Sequence, residues 1–335
     1  MKKFLSVIVC AILVGISAIL GVDTEKVTCG AGNGVNEQIK NVSEVADVLE
    51  SFGLSSSTYL TALSDSEDEK EYTSATIIFE SVGGVSSSST WSGNTYGSSS
   101  MNMYMDKTMT CYFTEDASYY DVEAYIRSSS MSSGSGESES NSSVAKIGFQ
   151  MYIDSEHVYI RFSEFSVTSN TTETLPDFKK VLNKWIDATE GGGSSVTSVN
   201  DDNYEQMSII GKYVRNYEED GFTRDGDFYQ MKTDEVKSLC RELFRVVGGS
   251  SVADDIKASS FTLNLSNAQS PVMELFYSIN VEEESSESSY ASNYYRVQCS
   301  GEERTKITLS NINNTIVEFN ESAKIYDADD FEDVL

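Results

Sequence analysis

A row of methionines is the sequence feature best suited to binding a ligand. Four of the ten methionines fall within nine residues, at Met101, Met103, Met105 and Met109, and Cys111 and Phe113 continue the same alternation. Methionine side chains are flexible and polarizable, so a methionine-rich face of a sheet suits apolar ligands of variable shape. A plain hydrophobic core would use the same residues, because an antiparallel sheet needs one apolar face in any case. Both interpretations, cavity and core, stay open at the level of the sequence.

Neighbouring apolar patterns extend the predicted ligand site. Ile147, Phe149, Met151 and Ile153 alternate in one predicted strand, and Trp185 lies on the apolar stripe of a predicted helix. We therefore predict that an apolar or lipid-like ligand binds between sheet and helices. The predicted ligand-binding residues are Met101, Met103, Met105, Met109, Phe113, Phe149, Met151 and Trp185.

Sequence patterns typical of enzymes are missing from the chain. It contains no G-x-S-x-G, H-E-x-x-H, C-x-x-C or P-loop string. A Ser-His-Asp triad would have to use His157, which is the only histidine and is expected in a hairpin turn. We predict a protein that is not an enzyme, with no catalytic residues, no cofactor and no metal site.

The charge balance excludes one class of partner. The chain has 24 Lys and Arg residues against 53 Asp and Glu residues, which gives a net charge of −29. Such a surface repels phosphate backbones, so we predict no nucleic-acid partner. The acidic residues are so numerous that no single carboxylate stands out as a catalytic candidate.

The first 22 residues have the pattern of an export signal. Lys2 and Lys3 precede residues 4–22, a run of 19 residues without a charge. A cationic start followed by a long apolar run is typical of a signal peptide, and a run of this length can also just span a bilayer. We predict an exported chain. It is extracellular if the segment is cleaved, and anchored to the outer face of the cytoplasmic membrane if the segment is retained.

Cysteine usage adds one candidate modification site. Cys29 lies in VTCGAGNG, which has the form of a degraded lipidation box followed by a flexible tether, although Glu25 and Lys26 depart from the small or apolar residues that such a box requires. We predict that Cys29 is a candidate lipidation site and that residues 23–40 form a tether. The sequence does not choose among pairings of the mature cysteines.

Period-two alternation predicts the strands, and polar stretches predict where they turn. Hairpin turns are expected at Asp106–Thr108, Asp154–His157 and Gly301–Glu302. With these turns, Met105 faces Met109, and residues 260–313 form a four-stranded antiparallel meander. The last strand of that meander runs into the polar corner 311–314 and leaves as a second extended piece.

Three serine-rich tracts interrupt the predicted strands. They cover residues 83–100, 128–143 and 282–292. Because each falls between two strands, we expect them to be extended, flexible hairpin loops.

Apolar residues at helical spacing predict four helices. The first has the stripe Val42, Val45, Ala46, Leu49 and Phe52, with Asn41 as its N-cap and Gly53 as its stop. The other three fall within residues 175–193, 201–221 and 233–249, and the first of these carries Trp185.

In this order of elements the chain resembles the lipoprotein-localisation-factor fold, the LolA-like and LppX-like group of exported half-barrel proteins. Three places carry the resemblance: the leader followed by a helix and strands, EEDGFTRDGDFYQMKTDEVKSLCREL at 218–243, and ITLSNINNTIVEFNESAK at 307–324. The resemblance implies an α+β fold with a single strongly curved, mostly antiparallel sheet, a half-barrel, and helices against its concave face. It also implies a small-molecule binder that performs no chemistry.

The predicted organisation has four parts. Residues 1–22 are the signal peptide or N-terminal anchor, 23–40 the tether, 41–324 a single half-barrel domain and 325–335 an acidic tail. The predicted function is non-catalytic binding of an apolar or lipid-like ligand by an exported protein, which contacts the membrane only through an uncleaved N-terminal segment.

A surface-interaction or adhesin-like module without a small-molecule ligand is the alternative. In that case the side chains expected on the solvent faces of strands, Tyr104, Tyr119 and Tyr125, would contact sugars or a partner protein. Ordinary cross-strand pairing of these tyrosines would produce the same sequence pattern.

Overall fold

The structure is a computed structural model that describes residues 27–53, 72–92, 96–134, 137–170, 178–189, 207–216, 221–246, 255–287, 293–320 and 324–327. The predicted leader lies outside these residues, as does all of the predicted acidic tail except a short strand at 325–327. None of the helices in the described part of the chain is long and apolar enough to span a bilayer.

Strands dominate the described chain. They are β1 (Val27–Ala31), β2 (Ala75–Ser92), β3 (Gly97–Phe113), β4 (Ala117–Gly134), β5 (Glu137–Asp154), β6 (Val158–Ser169), β7 (Trp185–Asp187), β8 (Phe222–Asp225), β9 (Phe228–Met231), β10 (Ile256–Asn264), β11 (Val272–Glu287), β12 (Asn293–Ser310), β13 (Thr315–Phe319) and β14 (Ile325–Asp327). The helices are α1 (Val42–Gly53), α2 (residues 207–216) and α3 (Thr233–Val246).

Twelve of these strands form one sheet in the order β14-β7-β6-β5-β4-β3-β2-β12-β11-β10-β9-β8. All neighbours are antiparallel except β14 and β7, which are parallel. The edge strands β8 and β14 do not pair with each other, so the sheet stays open, and it is not strongly curled. The α+β class with a large, mostly antiparallel sheet is therefore confirmed, and the half-barrel stays a prediction.

The three helices lie on one side of the sheet, which we call the inner face. The apolar stripes of α1 and α3 are buried, with Val45, Leu49, Val236 and Leu239 all at 0 % exposure. They form one core with Ile77, Met109 and Leu309 of the long strands. The outer face is the opposite side. It carries a second, smaller core beneath the two-stranded piece β1–β13.

Helix α1 begins and packs as its sequence predicts. The Asn41 side chain accepts a hydrogen bond from the Glu44 amide (2.9 Å), and Glu44 accepts one from the Lys40 amide (2.7 Å), which satisfies amides that the first turn leaves unpaired. Helix α2 crosses α1 closely at Gly211, where a Cβ would lie 2.8 Å from Cγ of Glu50. Arg215 of α2 joins the same pair of helices through its ion pair with Glu50 (2.7 Å).

The serine-rich tracts are strands. Each of β2, β4, β5 and β12 has 18 residues, which corresponds to about 60 Å at the usual rise per residue. Their serine-rich halves pair with one another residue by residue, for example Ser88 with Ser100 and Ser129 with Ser142. The predicted loops at 83–100, 128–143 and 282–292 are therefore wrong over their described residues, while 93–95, 135–136 and 288–292 lie outside the described part of the chain. Pairing, on both sides for most of the first two tracts and on one side for 282–287, satisfies backbone groups that a loop would leave to water.

We call this part of the sheet the serine-rich extension. It consists of residues 83–92, 97–106, 126–134, 137–146, 163–169, 279–287 and 293–302. Hydroxyl pairs connect its strands, with Oγ–Oγ distances of 2.7 Å between Ser89 and Ser99 and 2.7 Å between Ser128 and Ser143. The helix-covered core lies at the other end of the same strands.

Two predicted hairpin turns are wrong for the same physical reason. Lys107 pairs with Ser81 on one side and Ala124 on the other, so β3 runs straight through Asp106–Thr108. Gly301 likewise pairs with Ile279 and Val85, so β12 runs through Gly301–Glu302. A turn at either place would remove backbone hydrogen bonds on both sides of a central strand. The predicted four-stranded meander is accordingly three longer strands.

The helix predicted within 175–193 is also wrong. Residues 178–180 form one 3₁₀ turn, and Trp185–Asp187 is strand β7. Asn183 between them has a left-handed backbone (φ 61°), which interrupts any regular right-handed helix. The helices predicted within 201–221 and 233–249 are confirmed over the residues of α2 and α3.

Other predicted connections are confirmed. Asp154–His157 joins β5 to β6, with Met151 opposite Ile160 and Ile153 opposite Val158. The corner after β12 turns through residues 311–314, where Asn311 and Asn313 have left-handed backbones (φ 50° and 54°). After this corner the chain leaves the large sheet, and β13 pairs with β1 on the outer face.

Residues 27–40 are tied to the fold. Strand β1 pairs with β13 throughout, from Val27 opposite Phe319 to Ala31 opposite Thr315. Farther along, the Ile39 amide donates to the Ala268 carbonyl (2.7 Å). This part of the predicted tether is therefore an ordered segment across the end of the sheet.

We predict that backbone amides of the serine-rich extension are protected from hydrogen exchange. Residues 84–90 and 127–133 lie in strands with a neighbour on each side, so their amides should exchange at least about 100-fold more slowly than unstructured peptides. Exchange mass spectrometry would measure this, with residues 267–268 of the turn between β10 and β11 as a fast-exchanging internal reference. Complete exchange of both segments within seconds would contradict the strand assignment.

Candidate functional site

The methionine row is divided between core and extension. Met109, Phe113 and Met151 are 7 %, 2 % and 5 % exposed and belong to the inner-face core, against which Phe149 packs. Met101, Met103 and Met105 lie on the same face of β3 but outside that core, and each is half-buried. The shared face is therefore as predicted, although one continuous strand produces it and Met105 does not face Met109.

The strand register identifies the neighbours of the three outer methionines. Met105 lies opposite Gly83 of β2 and Ile126 of β4, and Met103 lies opposite Val85 and Ser128. Directly opposed residues of an antiparallel pair share a face, so this part of the inner face is apolar and contiguous with the core. Beyond Met101, the inner face of β2, β3 and β4 carries serines, two glycines and Trp91.

Trp185 does not join this site. It lies opposite Arg161 of β6 and is 1 % exposed in the outer-face core, where its ring packs against Phe319 (centroids 5.5 Å apart). The sheet separates it from the methionines. Its helical spacing to Phe178 and Leu182 suggested a shared face, and the strand conformation of β7 puts Trp185 and Ile186 on opposite faces instead.

A polar cluster lies on the inner face between the buried and the half-buried methionines. Its centre is Glu303 of β12, whose Oε1 accepts a hydrogen bond from the Ser81 hydroxyl and whose Oε2 accepts one from the Tyr277 hydroxyl. The Thr305 hydroxyl lies 3.4 Å from Oε1. The cluster lies at the limit of the helix cover, because Phe244 of α3 packs edge-on against Tyr277 (centroids 5.0 Å apart).

Glu303 is held in its charged form. Burial of the carboxyl would raise its pKa, but the positive charge of Lys107 and the hydrogen bonds from Ser81, Tyr277 and Thr305 outweigh burial and lower the pKa below its ordinary value. Within the described part of the chain, no lysine or arginine nitrogen lies within 4.0 Å of this carboxylate. The cluster thus presents a negative charge beside, but not in contact with, a positive one.

The outer face carries a second polar network. Arg161 is 4 % exposed and donates to Gln150 (2.9 Å) and to Asn183 (3.0 Å). Gln150 in turn donates to Asp121 at 3.4 Å. The network connects β4, β5 and β6 to the turn before β7, and its hydrogen bonds offset part of the cost of burying the Arg161 guanidinium.

Glu123 stands next to this network without a hydrogen-bond donor. Its Oε1 is buried and has no partner among the described residues. Burial, followed by the charges of Asp121 and Glu164, raises the pKa of Glu123 to about 7. Glu164 is close to Glu123 because both residues lie opposite Gly148, and a glycine places only backbone between the two carboxylates.

None of the four cysteines in the described chain forms a disulfide. Cys29, the candidate lipidation site, is half-buried in β1 beside Tyr112, and burial raises the pKa of its thiol to about 11. Cys111 and Cys240 are buried, and Cys299 is half-buried. Thiols in such surroundings are weak nucleophiles, because the thiolate is the reactive form.

The three outer-face tyrosines differ in exposure. Tyr104 is 41 % exposed, and Tyr125 is half-buried with the Arg127 guanidinium 5.8 Å from its ring centre. Tyr119 is 5 % exposed beneath β1 and β13, so its expected position on a solvent face is wrong.

No protein-family model matches the chain, and no curated protein and no solved structure matches it.

The polar cluster around Glu303 was missed by sequence reasoning. Its signal was present, since Glu303 shares the parity of the buried Ile307 and Leu309, and Lys107 shares that of Met105 and Met109. The predicted turns at 106–108 and 301–302 broke both strands and hid that parity.

We predict that Glu123→Gln stabilises the protein only at neutral and higher pH. The pKa of Glu123 in the folded protein, about 7, is raised above the ordinary value of 4.5. The contribution of the protonated carboxyl to stability is therefore complete below pH 4.5 and is lost as the pH rises through 7. Because the side chain is partly exposed, we expect a gain of about 1 kcal/mol in free energy of unfolding at pH 8 and almost none at pH 4.

Urea unfolding at the two pH values would measure this difference. Glu302→Gln, on the exposed outer face of β12, is the matched control and should change stability little at either pH. An equal effect of Glu123→Gln at pH 4 and pH 8 would show that the carboxyl titrates normally.

Proposed function

We propose that the protein is an exported, non-catalytic binding protein that holds an apolar or lipid-like ligand against the inner face of its sheet. One observation carries the proposal: the core row of β3 continues past the core as Met105, Met103 and Met101, which are half-buried. The half-barrel form of the fold belongs to the same proposal, because a curved inner face would surround such a ligand more fully than an open one.

The proposed site lies beside the core rather than beneath the helices. Met109, Phe113 and Met151 already fill the space under the helices and have at most 7 % of their surface left to offer a ligand. Met103 and Met105 retain accessible surface and have Val85 and Ile126 as strand neighbours. Fully burying a methionine contributes roughly 1.5–3 kcal/mol, so completing the burial of a half-buried one is worth about 1 kcal/mol.

Export and the position relative to the membrane remain part of the proposal. They rest on residues 1–22, whose cationic start and uncharged run are typical of a signal peptide or anchor. In either case the described sheet lies outside the cytoplasm, and a net charge of −29 favours a soluble surface.

A surface-interaction module is the second candidate. The observation that favours it is the outer face of the extension, where Tyr104 and Met131 are 41 % and 58 % exposed, together with Val82 just before the extension, which is 45 % exposed. Exposed aromatic and apolar side chains on a flat sheet are suited to contacts with a partner or a sugar chain. This reading needs no ligand on the inner face.

Native mass spectrometry of the purified protein, followed by organic extraction, would test the ligand proposal. We expect a mass above that of the chain and an apolar or amphipathic molecule in the extract. A bare mass, together with no uptake of added fatty acid or lysolipid, would reject the proposal and leave the surface-interaction module.

We predict that Met109→Ala mainly lowers stability and that Met103→Ala mainly weakens ligand binding. Met109→Ala removes a buried side chain and should lower the free energy of unfolding by about 2–5 kcal/mol. Met103→Ala should cost less than about 1 kcal/mol of stability but weaken binding of the extracted molecule about fivefold. Chemical unfolding and titration calorimetry would separate the two, and equal stability losses with unchanged binding would place Met103 in the core.

A further inference from the structure

The inner face brings opposite charges next to the proposed apolar site. Glu303 lies opposite Gly83, whose other neighbour is Met105, so one row of the sheet runs from the carboxylate to the methionine across a residue without a side chain. Lys107 lies on the same face, two residues before Met109 and two after Met105. The polar cluster and the methionine row are therefore adjacent parts of one surface.

Two glycines keep this surface open beside Glu303. Gly83 lies directly across from it, and a Cβ there would be 3.2 Å from Cβ of Glu303. Gly301 precedes it by two residues on the same strand, and a Cβ there would be 3.1 Å from Cγ2 of Val85. A Cβ at Gly83 would also lie 2.8 Å from the Glu302 carbonyl oxygen. A larger residue at either glycine would therefore displace its neighbours and cover the approach to the carboxylate.

The Glu303 carboxylate has acceptor capacity left. A carboxylate offers about four lone-pair positions, and Oε2 receives one donor, the Tyr277 hydroxyl. Its charge has no contacting cation in the described chain, and neither has the charge of Lys107 a contacting anion there. Both side chains are half-buried. Charges that are partly removed from water are normally paired, so a ligand that carries both signs would complete the arrangement.

We propose that Glu303 and Lys107 bind the headgroup of a single zwitterionic amphiphile, with its ammonium at Glu303, its phosphate near Lys107 and its alkyl chain along Met105 and Met103. This inference rests on the proposed function and names the class of its ligand. Purely anionic amphiphiles are disfavoured by Glu303 and by the net charge of −29. Purely cationic ones are disfavoured by Lys107.

Titration calorimetry with the full chain below the critical micelle concentration would test the headgroup assignment. The probes are lysophosphatidylethanolamine, lysophosphatidic acid and monoacylglycerol of one chain length. We expect the wild type to bind the ethanolamine probe about tenfold more tightly than either of the others. Glu303→Gln should abolish the preference over lysophosphatidic acid, which lacks the ammonium, and Lys107→Gln should abolish the preference over monoacylglycerol, which lacks the phosphate. Glu302→Gln on the outer face should keep both.

The preference is a ratio of affinities within one variant, so a partly unfolded variant still reports it. Equal affinity for all three probes would overturn the headgroup assignment while leaving the proposed function intact. Binding of none of them would overturn both. Cosedimentation with phosphatidylethanolamine vesicles but no binding of the monomeric probe would replace the single-molecule site by a membrane surface.

Discussion

The structure depends on a mismatch of length between strands and helices. An 18-residue strand is about 60 Å long, whereas the 14 residues of α3 span about 21 Å, and all three described helices pack at one end of the strands. Apolar residues of the strands can be buried by helices only at that end. Everything beyond it must be stable as a single layer of sheet, or be covered by something else. The inner-face methionines lie where the cover ends.

Backbone hydrogen bonds stabilise the single layer of sheet, and its serine side chains expose little apolar surface to water. Each central strand is hydrogen-bonded on both sides, which satisfies its amides and carbonyls without a core. Serine adds little apolar surface, and its hydroxyl finds a neighbour across the strand, as in the Ser98–Ser133 pair at 2.9 Å. The acidic net charge opposes the edge-to-edge association that long strands invite.

Parity along the strands could be read from the sequence, and the ends of the strands could not. Alternation correctly placed Met101 and Phe113 on one face, because a period of two survives even when the turn is misplaced. Serine tracts and polar triplets such as Asp106–Thr108 have the local composition of loops, and only pairing with neighbouring strands makes them strands. Long-range pairing also determines the conformation at Trp185. Its spacing to neighbouring apolar residues is helical, but pairing with β6 makes this segment strand β7. Glu303 could not be distinguished among the 53 acidic residues until the continuity of β12 was known.

Methionine oxidation tests most directly the claim that the row of β3 is part core and part binding surface. With dilute hydrogen peroxide and peptide mass spectrometry, Met101, Met103 and Met105 should oxidise faster than the buried Met109 and Met151. An added amphiphile should slow the first three and leave Met131, 58 % exposed on the outer face, unchanged. Uniformly slow oxidation of the whole row, or rates that no amphiphile alters, would contradict the account.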